Sequence, residues 1–92
     1  MKYDIIRTSQ FKKDYGLAQK KGLDTSKILD VISMLANGIT LPKKYQDHSL
    51  SGNYRGCRDC HIEPDWILIY KIDKEIEILE LRRTGSHSDL FK

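Results

Sequence analysis

Two stretches near the C-terminus carry the residue types that acid–base chemistry needs. One is Arg58-Asp59-Cys60-His61-Ile62-Glu63-Pro64-Asp65-Trp66, and the other is Arg83-Thr84-Gly85-Ser86-His87. Histidine is the side chain whose unperturbed pKa, about 6.5, lies near neutral pH. Two imidazoles facing one another across a phosphodiester can take one proton and deliver another. RNA would supply its own nucleophile there, the 2′-hydroxyl. A base for that hydroxyl, an acid for the leaving 5′-oxygen and a cation on the phosphate would then cut the strand with no metal and no cofactor. Arg83 is the candidate cation, because negative charge on the phosphate oxygens grows in the transition state. Trp66, next to Asp65, offers a ring on which a base could stack. Residue types alone leave a second reading open, in which these are solvated polar residues on an exposed strand face.

The elements that must position these residues are legible from periodicity. Lys2 to Arg7 reads as a first strand. Thr8-Ser9 can cap a helix on which Phe11, Tyr15 and Ala18 recur at helical spacing, and Gly22 is placed to end it. Asp24-Thr25-Ser26 caps a second helix, in which Ile28, Val31, Ile32 and Leu35 form an apolar stripe closed by Gly38. From about Ile39 to Asn53 the chain is polar and carries His48, a long loop of the kind that is often functional. Strands follow over Tyr54–Ile62, Trp66–Ile72 and Glu75–Arg83, joined by turns short enough for antiparallel hairpins. The last strand changes phase, which calls for cover on both faces or for a bulge. Alternation along Tyr54–Ile62 puts Arg55, Cys57, Asp59 and His61 on one side. The order β-α-α-β-β-β predicts an α+β domain spanning residues 1–92, a small antiparallel sheet with both helices on one face and the other face free for a site.

Size and charge narrow the possibilities. A chain of 92 residues builds one modest core. It holds no apolar run long enough to span a membrane, and Met1 to Arg7 lacks the features of a secretory signal. A cytoplasmic protein is expected, with Cys57 and Cys60 as reduced thiols. The formal charge is +3, and lysines and arginines come in pairs, among them Lys43-Lys44 and Arg82-Arg83, with Arg55 and Arg58 close together. Such pairs are solvated faces or contacts to phosphates.

Several blocks taken together resemble the YafQ branch of the RelE-type toxins. They are Phe11-Lys12-Lys13-Asp14, Gln46-Asp47-His48-Ser49-Leu50-Ser51-Gly52, the run from Tyr54 through Trp66 to Tyr70, Arg83-Thr84-Gly85-Ser86-His87 and the terminal Leu90-Phe91. The resemblance runs nearly end to end. It implies a toxin of a type II toxin–antitoxin pair that cuts messenger RNA in the ribosomal A site and is silenced by a cognate antitoxin protein. It also implies a small antiparallel sheet with two N-terminal helices. Carried onto this sequence, it assigns His48, His61, Asp65 and His87 to the acid–base set and gives the scissile phosphate to Arg83. Asp59 would support the site, and Phe91 would help position the RNA. The order of base and acid does not follow, although His61 or His48 for proton abstraction and His87 for the leaving group is the preferred assignment.

Three other readings compete. Cys57-Arg58-Asp59-Cys60-His61 is a C-x-x-C-H string, the pattern of c-type haem attachment. That chemistry needs an export context, and a strand would splay the thiols to opposite faces. A zinc site built from Cys57, Cys60, His61 and His48 would need the loop to bend towards the strand. The last alternative is a non-catalytic basic module that binds RNA or a protein.

Overall fold

The structure is a computed structural model, and it describes residues 1–91. Strand β1 (Asp4–Arg7) leads into helices α1 (Ser9–Lys20) and α2 (Thr25–Ala36). Short 3-10 turns at Lys43–Tyr45 and Gly52–Tyr54 flank a two-residue strand β2 (His48–Ser49). Strands β3 (Arg58–Glu63), β4 (Trp66–Asp73) and β5 (Ile78–Gly85) form a meander, and α3 (His87–Leu90) closes the chain. The sheet order is β1-β5-β4-β3-β2. The meander is antiparallel, as its short turns require, while β1 joins the far edge parallel to β5.

Local chemistry fixes the helix starts. The Thr8 hydroxyl accepts from the Phe11 amide at 3.1 Å, and the same oxygen donates to the Arg82 carbonyl at 3.0 Å. One side chain therefore caps α1 and ties it to β5. Asp24 caps α2 by accepting from the Ser26 amide. Both helices lay their apolar stripes on one sheet face, where Phe11, Ile28, Val31 and Leu35 meet Cys60, Trp66, Leu68, Tyr70, Leu79 and Leu81.

The opposite face is not wholly free. Cys57, Ile67, Ile69 and Leu90 form a second buried cluster there, with Leu50 and Tyr54 packed against it. The loop before β3 and the terminal turn thus roof part of the sheet, which is why Trp66 to Tyr70 is buried without alternation. Two expected strand starts also move. The residues before Arg58 are turn rather than strand, with Gly52 and Gly56 at positive φ. Residues 74–77 form the last turn, leaving Ile76 exposed and Glu77 in the left-handed region.

The phase change in the last strand is a bulge. Tyr70 pairs with Leu81 but Ile69 pairs with Arg83, so Arg82 is the extra residue. Without it, Arg83 would follow Leu79 and Leu81 onto the helix face. With it, Arg83 shares the face of Ile69 and Thr84 drops beside Leu68.

Candidate active site

Three short elements bring the histidines together on the face away from the helices. His48 lies on β2 opposite Asp59 of β3. His61 follows two residues later on the same side of β3, paired with Ile67. His87 opens α3, whose start is fixed by a capping box between Ser86 and Asp89. The imidazoles stand edge to face in a row. Ring centroids are 6.5 Å apart between His48 and His61, and 5.2 Å between His61 and His87. Phe91 extends the row, 6.2 Å from His87, and Tyr54 stands against Phe91 at 5.7 Å.

Hydrogen bonds set the tautomers of the two outer rings. Nδ1 of His48 lies 2.7 Å from the Gln46 carbonyl oxygen. A carbonyl only accepts, so that nitrogen carries the hydrogen and Nε2 keeps its lone pair. Gln46 reaches this position with φ at +48°, a conformation uncommon for a residue with a Cβ. At the other end, Asp65 Oδ1 accepts from both Nδ1 of His87, at 2.8 Å, and the His87 backbone amide, at 3.0 Å. Those two bonds, side chain first, hold the Asp65 carboxyl below the usual carboxylate range. An ionised Asp65 therefore stands behind His87 and leaves its Nε2 pointing outward.

Asp59 lies under the middle of the row. Its Oδ1 is 3.6 Å from His48 Nδ1 and 3.8 Å from His61 Nε2. These are ion-pair distances, beyond hydrogen-bond reach. The side chain is 3% exposed, and Oδ1 has no hydrogen-bond partner among the described residues. Burial raises the Asp59 carboxyl above its ordinary value, and the charges of His48, His61 and His87 pull it back down.

Other expected site residues are placed differently. Trp66 is 3% exposed and belongs to the helix-side core. Its indole N–H donates to the Thr84 hydroxyl at 2.9 Å, so it is no platform for a base. Arg58 faces the helix side opposite Tyr70 and donates to both carboxylate oxygens of Asp47. It anchors the loop that carries His48 instead of presenting an open phosphate contact. Arg55 lies in the exposed turn before β3, outside the strand alternation that was to align it with Asp59. Arg83 gives Nε and Nη2 to Asp14 of α1, at 2.7 and 3.3 Å. One edge of its guanidinium is engaged, while the Nη1 group faces the other way. The row itself lies on open surface. His61 borders a groove of about 530 Å³ with Tyr45 and Lys44, whereas Asp65 and Arg83 border a separate one of about 430 Å³.

The two cysteines diverge as an extended strand dictates. Cys57 is buried with Ile67 and Ile69, and Cys60 in the helix-side core. Burial raises the Cys60 thiol pKa far above its usual value. The pair is unable to grip one metal ion or one haem.

Several positioning residues were not singled out from sequence. Asp14 had a signal, since a carboxylate sits on the apolar stripe between Phe11 and Ala18 and is itself buried. Tyr70 also had one, as a hydroxyl in the apolar run of β4, and that hydroxyl donates to Asp47 at 2.6 Å. The Gln46 carbonyl had none, because a backbone group leaves no trace in residue type.

Comparison with known proteins gives the family. A sequence model described as "Bacterial toxin of type II toxin-antitoxin system, YafQ" matches residues 3–92. The mRNA interferase toxin YafQ of Escherichia coli strain K12 is 45% identical over 89 residues, covering 96% of this chain and 95% of that one. Among solved structures, the E. coli DinJ-YafQ complex contains a chain 44% identical with a TM-score of 0.90, covering 98% of this chain and 99% of that chain. YafQ from E. coli strain BL21(DE3) is 43% identical with a TM-score of 0.92 over the same shares. Matched over nearly its whole length in sequence and in fold, this chain belongs to the YafQ family of bacterial toxins of type II toxin–antitoxin systems.

Proposed function

We propose that this toxin is a ribosome-dependent mRNA endoribonuclease that works by acid–base catalysis on the RNA's own 2′-hydroxyl. The observation that carries the reading is the row of three imidazoles, with the Asp59 carboxylate between His48 and His61 and the Asp65 carboxylate behind His87. The His48–His61 pair, over Asp59, takes the 2′-hydroxyl proton. The 2′-oxygen then attacks phosphorus and forms a 2′,3′-cyclic phosphate as the bond to the 5′-oxygen breaks. His87, protonated and braced by Asp65, gives its Nε2 proton to that leaving oxygen. Arg83 neutralises the charge that accumulates on the phosphate, and Phe91 flanks the nucleotide beside His87. No step calls on a metal or cofactor. The substrate is mRNA in the ribosomal A site. The +3 charge suits an RNA-rich partner and an acidic region of a cognate antitoxin, which would silence the toxin by covering this face.

The test is His87→Ala in a translating system with purified ribosomes. Cleavage of mRNA at the A site should fall by at least about 100-fold, the usual scale of a lost general acid, while ribosome binding persists. Cleavage at the wild-type rate would refute the acid–base reading. A chain that binds ribosomes but never cuts, even as wild type, would be a binding module instead.

A further inference from the structure

Arg83 lies at a place where the sheet edge is open. β1 pairs with β5 only as far as Arg7 opposite Leu81, and the Thr8 hydroxyl takes the next carbonyl, that of Arg82. Beyond it, the edge of β5 is closed by a side chain from α1. Asp14 accepts the Thr84 amide at 3.2 Å with the same Oδ2 that accepts Arg83 Nε at 2.7 Å. Its Oδ1 accepts Arg83 Nη2 at 3.3 Å and the Gln10 amide at 3.1 Å. The Asp14 side chain is 6% exposed and that of Arg83 26%. A buried carboxylate with its acceptor sites filled by one guanidinium, one backbone amide and one side-chain amide is a fixed reference point.

We infer that Asp14 is the positioning residue for the phosphate-binding guanidinium of Arg83, an inference that rests on the function proposed above. A fork held along its Nε–Nη2 edge has its plane and direction set, which a single contact would not achieve. The Nη1 group is then presented away from α1. Tyr54 borders Arg83, and the Tyr54 ring leads through Phe91 to His87. The bulge at Arg82 delivers Arg83 to the histidine face, and Asp14 decides how it stands there. A lone Arg83 would gain rotamer freedom that substrate binding must remove. Asp14 does this in advance, at the cost of cancelling part of the arginine's charge.

That cost makes the inference testable, because charge and orientation move in opposite directions. In Asp14→Asn a negative charge leaves a basic surface, so KM on programmed ribosomes should stay level or fall. The kcat should drop about 10- to 100-fold, the scale of a misplaced contact. The loss should vanish in an Arg83→Ala background, since Asp14 acts through Arg83 alone. Thermal melts correct each rate for the folded fraction. Arg83→Lys keeps the charge and loses the fork, and it should fall to the level of Arg83→Ala whether or not the Asn variant folds. An Asn variant with wild-type kcat per folded molecule overturns the inference, as does an equal loss in both backgrounds or a fully active Arg83→Lys. An Arg83→Ala protein that cuts at the wild-type rate overturns the phosphate role of Arg83 itself, and this inference with it.

Discussion

At the scale of single residues, the two site aspartates are opposites, and pH should separate them. Burial raises Asp59, so the folded state holds a proton there at a pH where the unfolded chain has lost it. Its favourable contribution is complete below the unfolded pKa of about 3.9 and is lost as pH rises through the folded value. At neutral pH the buried charge is a liability to the fold, retained beneath His48 and His61. Asp59→Asn should therefore melt higher than wild type at pH 7 and converge with it towards pH 4, while cleavage falls about tenfold or more. Melting curves across pH, with cleavage measured in parallel, check this; a variant less stable at pH 7 contradicts it. Asp65 runs the other way. The hydrogen bonds from the His87 ring and amide lower its pKa, so its contribution is present above about 3.9 and is lost only as pH falls through the lower folded value. The His87 backbone amide should keep its NMR shift at pH 5 and titrate with a midpoint below about 3.9. A midpoint above that value would mean that the bond to Asp65 does not hold in solution.

At the scale of elements, one half-buried staple ties the His48 loop to the sheet. Asp47 accepts from Tyr70 of β4 and from Arg58 of β3, and the next residue is His48. The Tyr70 ring is 1% exposed, and its hydroxyl, raised in pKa by burial and then by Asp47, stays a donor throughout the working range. Tyr70→Phe removes one donor and should cost about 1 kcal/mol of stability with little change in kcat. Asp47→Ala strands the buried hydroxyl and the guanidinium together, and should cost about 2–3 kcal/mol while also slowing cleavage, because His48 loses its anchor. Equal kinetic effects of the two variants would separate the staple from His48. Periodicity made α1 and α2 legible, because Phe11, Ala18, Ile28, Val31, Ile32 and Leu35 are buried where their spacing placed them, and short turns made the antiparallel meander legible. It misplaced the start of β3, since Gly56, at positive φ, bends the chain inside the stretch that alternation reads as extended. It left open which device changed the phase of β5, because a bulge is visible only in the pairing. Trp66 misled for a simple reason: an aromatic beside a site residue can point through the sheet to the other side, and this one does.

At the scale of the whole molecule, the row of histidines is displayed rather than enclosed. His48 and His87 have side chains 52% and 48% exposed, and the grooves beside the row are separate. An enzyme that cuts RNA unaided must itself bring the 2′-oxygen into line with the departing 5′-oxygen, which requires walls on more than one side of the nucleotide. Under the proposed function the imidazoles, Phe91 and Arg83 would supply one side. The ribosome, which already holds an A-site codon extended and in register, would supply the other, and the alignment gained that way is worth orders of magnitude. The pure protein should therefore cut naked RNA at least about 100-fold more slowly than the same message on programmed ribosomes. The gap should persist at RNA concentrations that saturate binding, because the missing factor is orientation and not affinity. Single-turnover rates on a defined message, with and without ribosomes, measure it. Equal rates would show that this open face aligns its substrate alone and that the ribosome serves only to deliver it.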